Sequence, residues 1–99
     1  MARTGSYTLS GAADADIEAI ARASAGRWGL ARAEAYVLAL HRALETLAAF
    51  PEAGRDVGEL RPGYRRFEHE RHSIFYRQTE GGILIVRVLH QRMQPGRHL

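Results

Sequence analysis

The sequence predicts a two-layer α+β domain, a helix hairpin packed on one face of a mainly antiparallel sheet. Two observations carry this. Apolar residues recur every three or four positions from about residue 13 to 50, then alternate from residue 64 onward. One short alternating segment precedes the helical stretch, so the order is β-α-α-β-β-β. A chain of 99 residues has room for one such domain, spanning residues 1–99, and for one modest core.

The first strand is read in "SYTLS" (6–10), where Tyr7 and Leu9 share a face. Ser10 stands where an N-cap belongs. Asp14, Asp16 and Glu18 follow in the first turns, where acids favour the positive end of a helix dipole. Ala13, Ile17, Ile20, Ser24 and Trp28 then fall at helical spacing, a narrow stripe of mostly small residues. Gly26 and Gly29 punctuate the next turn. The second helix runs from about Leu30 to Ala49, with Ala33, Val37, Leu40, Leu44 and Leu47 in one stripe; Tyr36, Ala43 and Phe50 widen it, and Pro51 ends it. Two helices joined so closely form an antiparallel hairpin whose apolar faces need a common cover.

"PEAGRDVGELRPG" (51–63) reads as a loop. Three strands follow: "YRRFEHE" (64–70), polar on one side; "HSIFYRQT" (72–79); and, past a tight turn at Glu80, Gly81 and Gly82, "ILIVRVLH" (83–90). The last is apolar at nearly every position and is therefore central and buried. Regular alternation along it places His90 with Leu84, Val86 and Val88, and Arg87 on the opposite face with Ile83, Ile85 and Leu89. The tail "QRMQPGRHL" reads as polar and frayed.

Composition narrows the function. The absence of cysteine excludes disulfides, thiolate metal sites and a cysteine nucleophile, and suits a reducing cytoplasm. No apolar stretch reaches the roughly 18 residues that span a membrane, and "MARTGSYTL" lacks the apolar core of a secretory signal. A cytoplasmic protein is expected. His41, His69, His72, His90 and His98 show no zinc-ligand spacing, and no Gly-rich loop opens a helix, so neither a metal nor a cofactor is expected. The charge is uneven. Residues 1–50 hold five Arg and five acids; residues 61–99 hold eight Arg and three acids, net +5. A basic C-terminal half points to an anionic partner: nucleic acid, a nucleic-acid enzyme, or an acidic protein segment.

"YTLSGAADADIEAI", "FPEAGR", "LRPGYRRF", "HSIFYR" and "RVLHQRM" together, in this order and spacing, resemble the RelE/ParE toxin superfamily, and most of all its ParE branch. The resemblance runs from about Tyr7 to Leu99. It implies the same β-α-α-β-β-β fold and a toxin of a bacterial type II toxin–antitoxin pair. Such a toxin is neutralised by a small ParD-like antitoxin, reaches DNA only through that antitoxin, and acts on DNA gyrase. The RelE branch instead cleaves mRNA on the ribosome. A shared fold does not decide between them.

RNA cleavage needs a base, an acid and a cation at the phosphate. The resemblance places the key arginine of the nuclease branch at Ser73; Arg71 lies two residues away, about 6–7 Å along a strand. No acid stands between Leu60 and Tyr64, where some nuclease members keep a glutamate, and no tyrosine follows Tyr76. His90 sits roughly where one subgroup keeps a catalytic histidine and is the one catalytic candidate. A strand-end histidine is more often structural, so no catalytic residue is assigned. The expected function is therefore an interaction toxin, the alternatives being a ribosome-dependent endoribonuclease and an inactive relative that only binds its antitoxin.

Binding is then the work of surfaces. Trp28, Leu30, Leu38 and Phe50 lie at the hairpin tip or off the main stripe, and with Arg61, Arg65 and Arg66 form the expected antitoxin site. Arg77, Arg87 and Arg92 are the candidates for contacting the target. Arg87 interrupts an apolar strand, and a buried charge needs a carboxylate or carbonyls nearby.

Overall fold

The computed structural model describes residues 6–99. Strand β1 (Ser6–Leu9) enters helix α1 (Gly11–Trp28) through Ser10. Its Oγ accepts from the Ala13 N–H at 2.9 Å as the N-cap and donates to the Val86 carbonyl at 2.7 Å, tying the helix start to the sheet. Gly26 does not interrupt α1, contrary to the turn expected there. A glycine within a helix costs only about 1 kcal/mol. The chain turns at Gly29 alone, which has φ 90°, and helix α2 (Leu30–Ala49) begins at the next residue.

Strands β2 (Arg55–Asp56), β3 (Tyr64–His69), β4 (His72–Thr79) and β5 (Gly82–His90) follow, then a short 3-10 turn at Pro95–Arg97. The sheet order is β1-β5-β4-β3-β2, with β1 parallel to β5 and the other pairs antiparallel. This is the two-layer α+β arrangement expected, with one strand more. Arg55 and Asp56, inside the segment read as loop, pair with Arg66 and Arg65. Two polar residues carry no periodicity from which a strand can be read.

Both helices cover one face of the sheet. Ala13, Ile17 and Ile20 of α1 meet Leu40, Leu44 and Leu47 of α2 over Ile74, Tyr76, Ile83, Ile85 and Val88. The opposite face carries a smaller cluster of Val57, Phe75 and Leu89, covered by Leu60, Tyr64 and Leu99. The tail is therefore docked rather than frayed: Leu99 packs on this cluster and the His98 carbonyl accepts from Arg87 Nη1 at 3.2 Å. Among the described residues no helix is long and apolar enough to cross a membrane.

Strand β5 departs from regular alternation. Tyr76 pairs with Ile85 and Phe75 with Arg87, so Val86 bulges. The bulge resets the faces. Ile83 and Ile85 share the helix side with Val88, not with Leu89, which joins the opposite cluster. It falls where β1 ends. There the Ser10 N–H bonds the Ile85 carbonyl at 2.9 Å, and Asp16 of α1 accepts the Val88 N–H at 2.9 Å, so α1 takes over the edge that β1 leaves.

Candidate functional site

Three of the six arginines singled out by sequence, Arg65, Arg66 and Arg87, have partners within the fold. Arg87 makes a forked ion pair with Asp16, Nε to Oδ2 at 2.8 Å and Nη2 to Oδ1 at 2.7 Å. With the His98 carbonyl it thus has both the carboxylate and the carbonyl that its position demands. The hydrogen bonds it donates to Asp16 hold its pKa above the ordinary arginine value, against the opposing effect of burial. Arg66 Nε meets Glu68 Oε2 at 2.5 Å, its Nη2 donates to Ser73 Oγ at 2.9 Å, and Ser73 donates to Glu68 Oε1 at 2.8 Å. The Arg66 guanidinium lies 5.3 Å from the Phe75 ring centre. Arg65 Nη1 donates to the Gly54 carbonyl at 2.7 Å. Arg61, Arg77 and Arg92 are exposed.

The apolar candidates separate into two regions. Leu30, Leu38 and Phe50 are 68%, 52% and 66% exposed, far more than large apolar side chains on a packed face. Leu30 and Leu38 line a groove of about 540 Å³ with Val37, His41 and, from α1, Ala21. Tyr7 Oη meets His41 Nδ1 at 2.9 Å beside it. Phe50 stands at the C-cap of α2. Trp28 lies elsewhere, against the β3–β4 turn, 5.0 Å from the Arg71 guanidinium and 5.7 Å from that of Arg27.

Three of the five histidines, scattered in sequence, gather beside Trp28. His69 pairs with His72 across one turn and His72 with His90 across the next hairpin. The His72 and His90 rings are 5.6 Å apart, edge to face. Tyr36 Oη meets His72 Nδ1 at 2.6 Å, and the Tyr36 ring centre is 5.9 Å from that of His69, whose Nε2 is buried without a partner. Burial pushes the His72 pKa below the ordinary histidine value; His90, His69 and Arg71 push it further down, and Asp16 opposes them.

His72, His90, Arg71, Arg27 and Trp28 surround a pocket of about 340 Å³ whose floor is Ala19, Ile20, Ala23, Val88 and Leu89. Among the described residues no three His, Cys, Asp or Glu are placed to hold a metal ion. The sequence reading missed this gathering. Counting back from the paired Thr79 and Gly82 puts His72 opposite Leu89, and only the bulge at Val86 moves it to His90.

Residues 7–95 match the family described as ParE toxin of type II toxin-antitoxin system, parDE. The chain is 48% identical over 94 residues to Toxin ParE1 of Mycobacterium tuberculosis (strain ATCC 25618 / H37Rv), covering 94% of this chain and 96% of the relative. It is 40% identical to Toxin ParE1 of Caulobacter vibrioides with the same coverage, and 34% identical to Toxin ParE of Escherichia coli over 88% of this chain and 85% of the relative. A solved structure described as the chromosomal ParDE TA system from P. aeruginosa superposes with a TM-score of 0.75 at 25% identity, covering 88% of this chain and 96% of that one.

Proposed function

The chain belongs to the ParE toxin family of type II toxin–antitoxin systems, and on that premise we propose that it is held inactive by a ParD-like antitoxin and, once released, acts on DNA gyrase by binding, without chemistry of its own. The observation that carries this reading is the environment of Ser73. At the place where the nuclease branch keeps its key arginine, Ser73 is 1% exposed and locked between Arg66 and Glu68. The neighbouring cation and carboxylate are paired with each other and hold no geometry for a phosphate.

The antitoxin side of the reading rests on the exposed apolar residues of α2. An acidic, apolar arm that folds on binding needs a long apolar seat. Leu30 and Leu38 border an exposed apolar groove on α2 that offers one, Phe50 adds an exposed apolar contact at the helix end, and Arg61 adds an exposed charge. Arg65 and Arg66 contribute by shaping the sheet edge, since their own hydrogen bonds are made within the chain.

One observation favours the ribonuclease alternative: His72 and His90 form a close pair that sequence alone did not reveal. A base and an acid each supply typically 10²–10⁴-fold in rate. Against this, His72 Nδ1 is occupied by Tyr36 and the pocket floor is apolar. Pulse labelling after induction of the toxin separates the readings. A gyrase-directed toxin stops DNA synthesis before protein synthesis. The reverse order, with mRNA fragments that vanish in His90→Ala, contradicts the proposal.

A further inference from the structure

The pocket beside Trp28, a residue grouped by sequence with the antitoxin site, lies apart from the groove that Leu30 and Leu38 line. Arg27 and Arg71 stand at its rim, with His72, His90 and Ser24 as its other polar groups apart from Asp16, so its net charge is carried by the two guanidinium groups. Its one acid, Asp16, has both carboxylate oxygens engaged by Arg87 and the Val88 N–H. An occupant therefore meets an apolar floor and a rim that attracts anions. The Trp28 indole holds Arg71 and Arg27 at 5.0 and 5.7 Å, so part of the cost of ordering these long side chains is met before anything binds.

The shape also selects. The groove on α2 runs from Leu30 to His41, about 16 Å at the rise of an α-helix, which suits a segment of a folding arm. The pocket is a compact, open hollow of about 340 Å³, large enough to receive an anchor side chain. Helix α1 separates the two: Ala21 borders the α2 groove, and Ala19 and Ala23 border the pocket.

We propose that this pocket is the seat of the toxin's protein target, taking one aromatic or large aliphatic side chain from an acidic segment of the target while the antitoxin occupies α2. The inference rests on the reading of the chain as a toxin that acts by binding a protein.

The test is the paired charge reversal Arg27→Glu with Arg71→Glu, at two exposed positions, beside Arg27→Lys with Arg71→Lys. Each is expressed without antitoxin for growth arrest, and each purified chain is titrated against gyrase supercoiling. The expected result is that the double Glu variant needs at least tenfold more toxin for arrest and for inhibition, keeps its thermal melt and its antitoxin affinity within twofold, and that the Lys pair recovers most of the potency. Full potency in the Glu variant overturns the pocket as the target's seat. A parallel tenfold loss of antitoxin affinity overturns it too, by placing the antitoxin there. Wild-type arrest of growth with gyrase unaffected overturns the gyrase reading while the growth comparison still judges the pocket. A wild-type chain that never arrests growth overturns both.

Discussion

Asp16 accepts three hydrogen bonds, two from the Arg87 guanidinium and one from the Val88 N–H. Asp16→Ala strands a partly buried cation and a strand N–H together. The loss is expected at about 3 kcal/mol, the low end for a broken buried pair, because the two side chains keep 21% and 14% exposure. Urea denaturation measures it, and the double change Asp16→Leu with Arg87→Met should cost less than Asp16→Ala alone. His72 makes a second residue-scale prediction. It is faced by Tyr36 from α2, His90 from β5, His69 and Arg71 from the β3–β4 hairpin, and Asp16 from α1. Burial first, then His90, His69 and Arg71, hold its folded pKa below the unfolded value of about 6.5. The unfolded chain therefore binds this proton more readily, and stability falls as pH drops below about 6.5 toward the folded pKa. Denaturant melts from pH 7.5 to 5 should show that slope. His72→Gln, which keeps an acceptor for Tyr36, should flatten it; an unchanged slope would assign the effect to other groups.

At the scale of elements, the stripe of α2 and the cap of α1 are where local chemistry and packing agree. Leu44 is fully buried between α1, α2 and the sheet, and Leu44→Ala should cost about 2–5 kcal/mol in the same melts. A change below about 0.5 kcal/mol would contradict its place in the core. Gly82 starts β5 so close to the Ser6 carbonyl that an added Cβ collides with it, and Gly82→Ala should loosen β1, seen as faster amide exchange at Ile83 to Ile85. Both helices and the three long strands were legible because each carries many apolar residues at one period. Arg55–Asp56 and the bulge at Val86 were not, because neither has a period; the bulge arises where β1 stops and Ser10 and Asp16 take its place, a tertiary event. The same cause hid the site. Leu38 and Phe50 were recognisable as apolar residues off the main stripe, and Leu30 as one at the hairpin tip. The pairing of His72 with His90 depends on a register that the bulge shifts by one residue. Arg87 was correctly read as needing a partner, but Asp16 lies 71 residues away and no local rule joins them.

On the scale of the whole molecule, the basic C-terminal half does not form one uniform anion-binding face. Arg65, Arg66 and Arg87 are held by Gly54, Glu68 and Asp16, leaving Arg61, Arg77 and Arg92 among the exposed cations. Binding to an antitoxin should therefore depend more on apolar anchors than on this charge. Phe50→Ala and Leu38→Ala are expected to speed dissociation at least severalfold, while Arg61→Ala mainly slows association at low salt, since an exposed pair is worth only about 0.2–1 kcal/mol. Surface-plasmon kinetics at two salt concentrations measure both. The central proposal is that this ParE family member disables gyrase by occupying it. The most direct measurement is supercoiling of relaxed plasmid by purified gyrase as toxin is added, with and without an equimolar ParD-like antitoxin. The account predicts that supercoiling falls in proportion to the toxin-to-gyrase ratio and that the antitoxin restores it. Undiminished supercoiling at a large excess of folded toxin would contradict it.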